Sequence, residues 1–259
     1  MFPTGLAGAE AQMWLYLVAM IRPGAAFLAA PVFGAQNVPV QVRLILALAL
    51  GIAALQTAPI ALPPGGIASV AGVALVASEV LAGLAIGFAV LIGFSAAMMA
   101  GEVIGNTMGI GFAGMVDPQS GASSPAIGQL LNILATFLFL AIGGHLMLAR
   151  IVVDSFTSLP PGGAWVGADS IRNLVLFGGD LFAAGLSIAL PVGFALILVQ
   201  VVMAMLARSA PAMNLFSVGL PATLLAGLVL LAVAAPSMAE GIEAFIRRGL
   251  DVARGIAGG

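Results

Sequence analysis

Long apolar runs fill most of the sequence, and they restrict the possible folds more than any other feature. A helix that crosses the hydrocarbon core of a bilayer needs about 20 apolar residues, and its backbone polar groups must be satisfied within the protein. Runs of this length therefore predict an all-α integral membrane protein. They lie at about residues 11–33, 40–58, 67–100, 126–153, 172–208 and 214–238.

Two of these runs, 67–100 and 172–208, are longer than a single span requires. Each is expected to form either one long, bent helix or two helices. Pro191 lies inside the second run, and because proline removes a backbone donor it favours a kink or a break there.

The segments between the runs are rich in Pro and Gly and are too short to hold a soluble domain. We therefore predict a single polytopic membrane domain over residues 1–259, without a catalytic head or an ATPase module. The clearest of these segments are at 59–66, 117–125 and 159–170.

The composition indicates what surrounds the helices. Of the residues, 62% are hydrophobic and 7% are charged, whereas about a quarter are charged in a typical soluble domain. The surface must therefore face lipid or other hydrophobic subunits. The net charge of −2 gives no basis for nucleic-acid binding. The absence of cysteine excludes disulfides and thiolate metal sites, and no cofactor is predicted.

Two glutamates, Glu79 and Glu102, interrupt or border otherwise uncharged helix. A charge at the bilayer centre costs about 2.5–3.5 kcal/mol on insertion scales, so each carboxylate needs a favourable surrounding. Either each faces a neighbouring helix and is paired or protonated there, or one or both line a wet pathway. Glu79, Gly83 and Gly87 are spaced by four residues and share one helix face.

Small residues also recur at every fourth position from Ala97 to Ala113, and they include Gly101, Gly105 and Gly109. Such a stripe allows two helix backbones to approach closely where lipid offers no hydrophobic driving force. Its partner is either another helix of this chain or a helix of another subunit.

Flexible apolar side chains surround these glycines, which continue with Gly111 and Gly114. A narrow apolar constriction dewets and blocks ions, methionine repacks around different shapes, and glycine lets the backbone move aside. We predict a movable seal that ends at a turn formed by Asp117 and Pro118. Ordinary buried packing is the alternative. The candidate seal residues are Met108, Ile110, Phe112 and Met115.

Three other polar residues are expected to have structural roles. His145 is the only histidine, so the two-histidine zinc motif is excluded and no metal site is predicted. Arg208 and Asn214 flank a proline-containing turn between the last two runs. There the guanidinium of Arg208 can reach water or carbonyl groups.

Partial catalytic motifs are present, but each is incomplete. Residues 109–114 match the GxGxxG pattern, yet an apolar helical run precedes them where a dinucleotide site needs a strand. Residues 177–180 and 118–121 resemble intramembrane aspartyl- and serine-protease motifs, and each lacks a required glycine. The chain is therefore not expected to be an enzyme. A small-solute secondary transporter is a weaker alternative, since transporters often carry internal repeats and none is clear here.

Two blocks of the sequence contain motifs in a characteristic order. The first block contains Gly101-Glu102, Gly105, Met108-Gly109, Asp117-Pro118, Pro125, Gly144-His145-Leu146, Asp154-Ser155-Phe156 and Leu159-Pro160. The second block reads Ala189-Leu-Pro191, followed by Arg208-x-x-Pro211-x-x-Asn214-x-Phe216-x-x-Gly219-x-Pro221. In the order and spacing of these motifs the sequence resembles the FliR family, and the likeness extends from about Trp14 to about Pro236.

The resemblance implies helical hairpins that wind around a central export pore, with a FliP-like part at about 1–188 and a FliQ-like hairpin at about 189–259. It implies a structural subunit of the flagellar type III protein-export gate, in the bacterial inner membrane at the flagellar basal body. Expected partners are FliP- and FliQ-like subunits, an FlhB-like subunit and membrane lipid, with unfolded flagellar proteins as cargo. The family's plug maps to about Gly105–Ser120. The injectisome counterpart shares much of the pattern and is the alternative assignment.

Overall fold

The computed structural model describes residues 6–63, 65–110, 126–163, 165–209 and 215–258. Within these ranges the chain is helical and contains no strand. The helices are α1 (Leu6–Ala29), α2 (Val40–Thr57), α3 (Val70–Thr107), α4 (Ala126–Ala141), α5 (Gly144–Ser158), α6 (Ala168–Ser209) and α7 (Leu215–Ile256). Five of them are long and apolar enough to cross a membrane, and α4 with α5 makes a sixth if the bent pair is one span. The prediction of an all-α membrane protein is confirmed.

The two longest apolar runs each form one helix. Helix α3 has 38 residues and α6 has 42, and α6 continues through Pro191 without ending. The run at 126–153 instead forms two helices, α4 and α5, which are bent by 66°. Gly143 between them has a φ of 70°, and the ring of Phe139 occupies the space that a Cβ of Gly144 would need. The break therefore depends on two adjacent glycines.

The described chain forms two compact units. In the first unit, α1 packs against its neighbours almost backbone to backbone. A Cβ built on Gly51 of α2 would lie 2.9 Å from the carbonyl oxygen of Ala19, and Gly83 and Gly87 of α3 press on carbonyl groups of α1, including that of Arg22. Glycine is needed at these three positions because a side chain would collide with the backbone of α1. This unit consists of Met1–Gly93, Phe139–Gly178 and Arg247–Gly259.

The second unit consists of Phe94–Leu138 and Gly179–Ile246. Here a Cβ on Gly101 of α3 would lie 2.7 Å from the carbonyl carbon of Ile127 in α4, and a Cβ on Gly105 would lie 3.8 Å from the Ile127 side chain. Gly185 of α6 gives space to the side chain of Met99 in the same way. At Gly101 and Gly105 the partner of the small-residue stripe is therefore another helix of this chain.

Candidate functional site

The region predicted to form a seal begins at the carboxyl end of α3. Gly109 has a φ of 84°, its N–H donates to the carbonyl of Asn106 at 3.0 Å, and the N–H of Ile110 donates to the carbonyl of Gly105 at 3.1 Å. This pair of bonds is a Schellman ending, which requires a left-handed residue and favours glycine. Gly109 therefore has a structural role as the residue that ends α3, besides the backbone flexibility predicted for it from the sequence.

Two other helices contact this end of α3. The side-chain amide of Gln200 in α6 donates to the carbonyl of Thr107 at 2.6 Å, and the hydroxyl of Thr223 in α7 lies 3.2 Å from the carbonyl of Met108. The Met108 side chain is 1% exposed and fills a slot above Gly227. Met108 thus fixes the end of α3 within its own unit.

Only some of the remaining predicted site residues lie within the described ranges. Ile110 is half-buried, and Gly105 faces α4. Arg208 is exposed in the last turn of α6. The predicted residues outside the described ranges are Gly111, Phe112, Gly114, Met115, Asp117, Pro118 and Asn214.

Glu79 is held in a buried ion pair with Arg22. The Nε of Arg22 donates to Oε2 of Glu79 at 2.9 Å and Nη2 donates to Oε1 at 2.7 Å, and both side chains are 1% exposed. This two-bond geometry is the strong form of an arginine–carboxylate contact. Of the two arrangements considered for Glu79, the described structure contains the one in which a neighbouring helix supplies a partner.

Arg22 also binds the carboxyl end of α5. Its Nη1 donates to the carbonyl and the hydroxyl oxygens of Ser155 at 2.8 and 2.9 Å, and its Nη2 donates to the carbonyl of Leu159 at 2.8 Å. The guanidinium carbon lies 4.3 Å from the centre of the Phe156 ring. Because arginine has five N–H groups, these bonds and the pair to Glu79 use all of them. We call Arg22, Glu79, Ser155, Phe156 and Leu159 the Arg22 cluster; it joins α1, α3 and α5.

Glu102 and His145 have different surroundings from Glu79. Glu102 is exposed on α3 and makes no ion pair with any residue in the described ranges. His145 lies half-buried in the first turn of α5, and its Nδ1 is buried without a hydrogen-bond partner among the described residues.

Sequence reasoning missed Arg22, Gln200 and Thr223 as functional residues. For Arg22 there was a usable signal, because a lone arginine in one apolar run and a lone glutamate in another are expected to pair. Gln200 and Thr223 gave no such signal, since an uncharged polar residue in a membrane helix can bond to its own helix or to a neighbouring one.

Comparisons with known proteins are consistent over most of the chain. Residues 13–249 match the family described as bacterial export proteins, family 1. The chain is similar to the flagellar biosynthetic protein FliR of Escherichia coli K12, with 34% identity over 88% of this chain and 87% of that protein. It is 35% identical to FliR of Pectobacterium carotovorum over 80% of this chain and 78% of that protein. Identity to FliR of Bacillus subtilis is 30%, over 84% and 85%.

Proposed function

The chain belongs to the bacterial export proteins of family 1, and we propose that it is a structural subunit of the flagellar type III protein-export gate in the bacterial inner membrane. The observation that carries this proposal is the match over residues 13–249, together with FliR relatives aligned along most of their length. The role is one of transport and assembly. No enzymatic step is assigned to the chain.

The length of the helices supports assembly with other subunits. Helices of 38 to 42 residues are about 57–63 Å long at 1.5 Å per residue. A bilayer with its headgroups is only about 40–45 Å thick, so lipid cannot cover such a helix along its whole length. Helix α6 carries large exposed apolar side chains from Ile171 to Leu206, and these need protein partners where lipid ends.

We propose that those partners are FliP- and FliQ-like gate subunits, with an FlhB-like subunit docked on the assembly and unfolded flagellar proteins as cargo. In this proposal residues 1–188 form the FliP-like part and 189–259 form the FliQ-like hairpin. The boundary lies inside α6, next to Pro191, and the hairpin is completed by α7.

We further propose that the chain contributes the plug of the idle channel. The plug residues are Ile110, Phe112 and Met115, in the segment from Gly105 to Ser120. Met108 belongs to the same sequence motif, but its side chain is buried above Gly227. We therefore assign Met108 to the anchored root of the plug.

Genetic replacement tests the function directly. The chain is expressed in a motile bacterium that lacks its own FliR, together with FliP- and FliQ-like subunits from the same source as this chain. Restored motility and co-purification of the three proteins are expected. Failure of both, with the chain inserted in the membrane, would refute the proposal. A monodisperse chain that is active alone in solute transport would instead favour a secondary transporter.

A further inference from the structure

At the end of α3, each carbonyl group from residue 104 to residue 108 lies within hydrogen-bond distance of a donor. The carbonyls of residues 104, 105 and 106 accept backbone N–H groups of Met108, Ile110 and Gly109. The carbonyls of Thr107 and Met108 are bonded from outside the helix, by Gln200 and Thr223. A helix normally leaves its last carbonyls to water or to capping groups, and apolar surroundings offer no water.

The side-chain packing at this point is equally specific. A Cβ built on Gly227 would lie 2.6 Å from both Cγ and Cε of Met108 and 2.8 Å from its sulfur, so only glycine leaves space for this methionine. Thr223 and Gly227 are four residues apart and share one face of α7. That face therefore binds both the backbone and the side chain of Met108.

The bond from Thr223 has local competitors. Its hydroxyl oxygen lies 3.2 Å from the carbonyl of Met108, 3.1 Å from that of Gly219 and 3.0 Å from that of Leu220. A hydroxyl has one hydrogen to donate, so these three acceptors share it. If α3 moves away, Thr223 keeps a bond to its own helix, and the exposed amide of Gln200 can turn to another partner. Neither donor is then left buried and unpaired.

We propose that Thr107, Met108, Gln200, Thr223 and Gly227 form a releasable latch, in which Gln200 and Thr223 are the positioning residues that hold the carboxyl end of α3 in the idle gate. We call this group the α3 latch. The inference rests on the proposed function and adds to it the contact that must open when cargo passes. Since the hydroxyl of Thr223 keeps a bond to its own helix, opening costs little at that donor, and the packing of Met108 against Gly227 is the contact that must be broken.

Substitutions that remove single hydrogen bonds test the holding role. Thr223→Val keeps the shape and removes the hydroxyl, Gln200→Leu removes the amide, and Thr223→Ser is the matched control that keeps the hydroxyl. Each variant is purified in complex with the FliP- and FliQ-like subunits, reconstituted in vesicles and assayed for ion leak without cargo. Losing one ordinary hydrogen bond changes a two-state population by about two- to tenfold. A leak increase in that range is expected for Thr223→Val and Gln200→Leu, with Thr223→Ser like the parent.

A disulfide tests whether the latch has to open, and it remains informative if a single substitution impairs folding. The chain has no cysteine, so Met108→Cys with Gly227→Cys adds one isolated pair. The Cγ of Met108 lies 2.6 Å from a Cβ built on Gly227, and one C–C bond joins Cγ to the Cβ of Met108, so the two Cβ atoms are within about 4 Å of each other, as a disulfide requires. Small side chains at both positions also relieve the collision expected at Gly227. The oxidised complex should not export cargo, and reduction should restore export.

The outcomes separate the latch from the proposed function. If the parent chain forms no complex with gate subunits, the proposed function fails. If complexes form and both single variants leak like the parent, the holding role is refuted. Equal export by the oxidised and reduced cysteine pair refutes release. Equal leak increases in Thr223→Val and Thr223→Ser refute the role of the hydroxyl.

Discussion

Replacing Arg22 with methionine should strongly destabilise the first unit. The substitution leaves Glu79 buried at 1% exposure without its cation, and it removes the donors to Ser155 and Leu159. Removing one partner of a buried ion pair typically costs about 3–5 kcal/mol. Protonation of Glu79 would limit this cost, whereas the unbonded carbonyls would add to it, so we expect a loss of at least about 3 kcal/mol.

The chain offers a matched control for this substitution. Arg254 forms an ion pair with Asp251 at 2.8 Å, between the 2.7 and 2.9 Å of the Arg22–Glu79 bonds, but its side chain is 50% exposed and that of Asp251 is 66% exposed. Exposed pairs contribute about 0–1 kcal/mol, so Arg254→Met should change stability little. Both variants would be measured by equilibrium denaturation of the co-expressed complex in mixed micelles, followed by the loss of helical circular dichroism.

A double substitution separates the effect of the buried charge on stability from the effect of the lost hydrogen bonds. In the double variant Arg22→Met with Glu79→Met no charge is left buried, and apolar replacement of a buried ion pair is often neutral. The double variant should therefore be more stable than Arg22→Met alone, but less stable than the parent because the carbonyls of α5 stay unbonded. If Arg22→Met lowers the free energy of unfolding no more than Arg254→Met does, the reasoning is refuted. A double variant less stable than the single one would also refute it.

Three further predictions concern a close helix contact, the end of α6 and the proposed plug. Gly101→Ala should reduce stability because its Cβ would press on the backbone of α4, whereas Gly179→Ala should be tolerated because nothing lies within 4 Å of a Cβ at that position. Thermal melting of the complex distinguishes the two variants, and equal melting temperatures would contradict the close contact at Gly101. Arg208→Leu should impair co-purification with partners more than Arg208→Lys, and equal yields would remove its anchoring role. Phe112→Ala with Met115→Ala should leave the complex assembled but leaky to small ions, and an assembled complex with parental leak would exclude the plug.

The positions of most helices could be predicted from the sequence, because a hydrophobic run indicates where a helix lies, but α7 (Leu215–Ile256) continues past the run that ends at about residue 238. The division of the run at 126–153 could not, since its hydropathy is continuous and the break depends on the left-handed φ of Gly143 and the ring of Phe139. The stripe at Gly101 predicted close helix packing. Its partner could not be identified, because periodicity describes one helix face and contains no information about the other.

The contacts of the candidate site were harder to predict from the sequence because they join residues that are distant in the chain. Arg22 and Glu79 are 57 residues apart, Gln200 is 93 residues from Thr107, and Thr223 is 115 residues from Met108. The sequence marked the carboxylate of Glu79 as unusual, and the lone arginine in another apolar run was the one signal that could have identified its partner. For the uncharged donors even that indication was missing, because a threonine or glutamine in a membrane helix has ordinary local alternatives.

Both units use the same physical solution at a helix end. Arg22 donates to carbonyl groups of Ser155 and Leu159 at the end of α5, and Gln200 and Thr223 lie within hydrogen-bond distance of the carbonyls of Thr107 and Met108, where α3 ends. In apolar surroundings a helix that ends without water must receive donors from other helices. The difference between the two ends is charge. The guanidinium is committed to a carboxylate and favours the negative end of a helix dipole, so that contact is permanent. The neutral donors of the α3 latch have alternatives within reach, so the end of α3 is the one suited to movement.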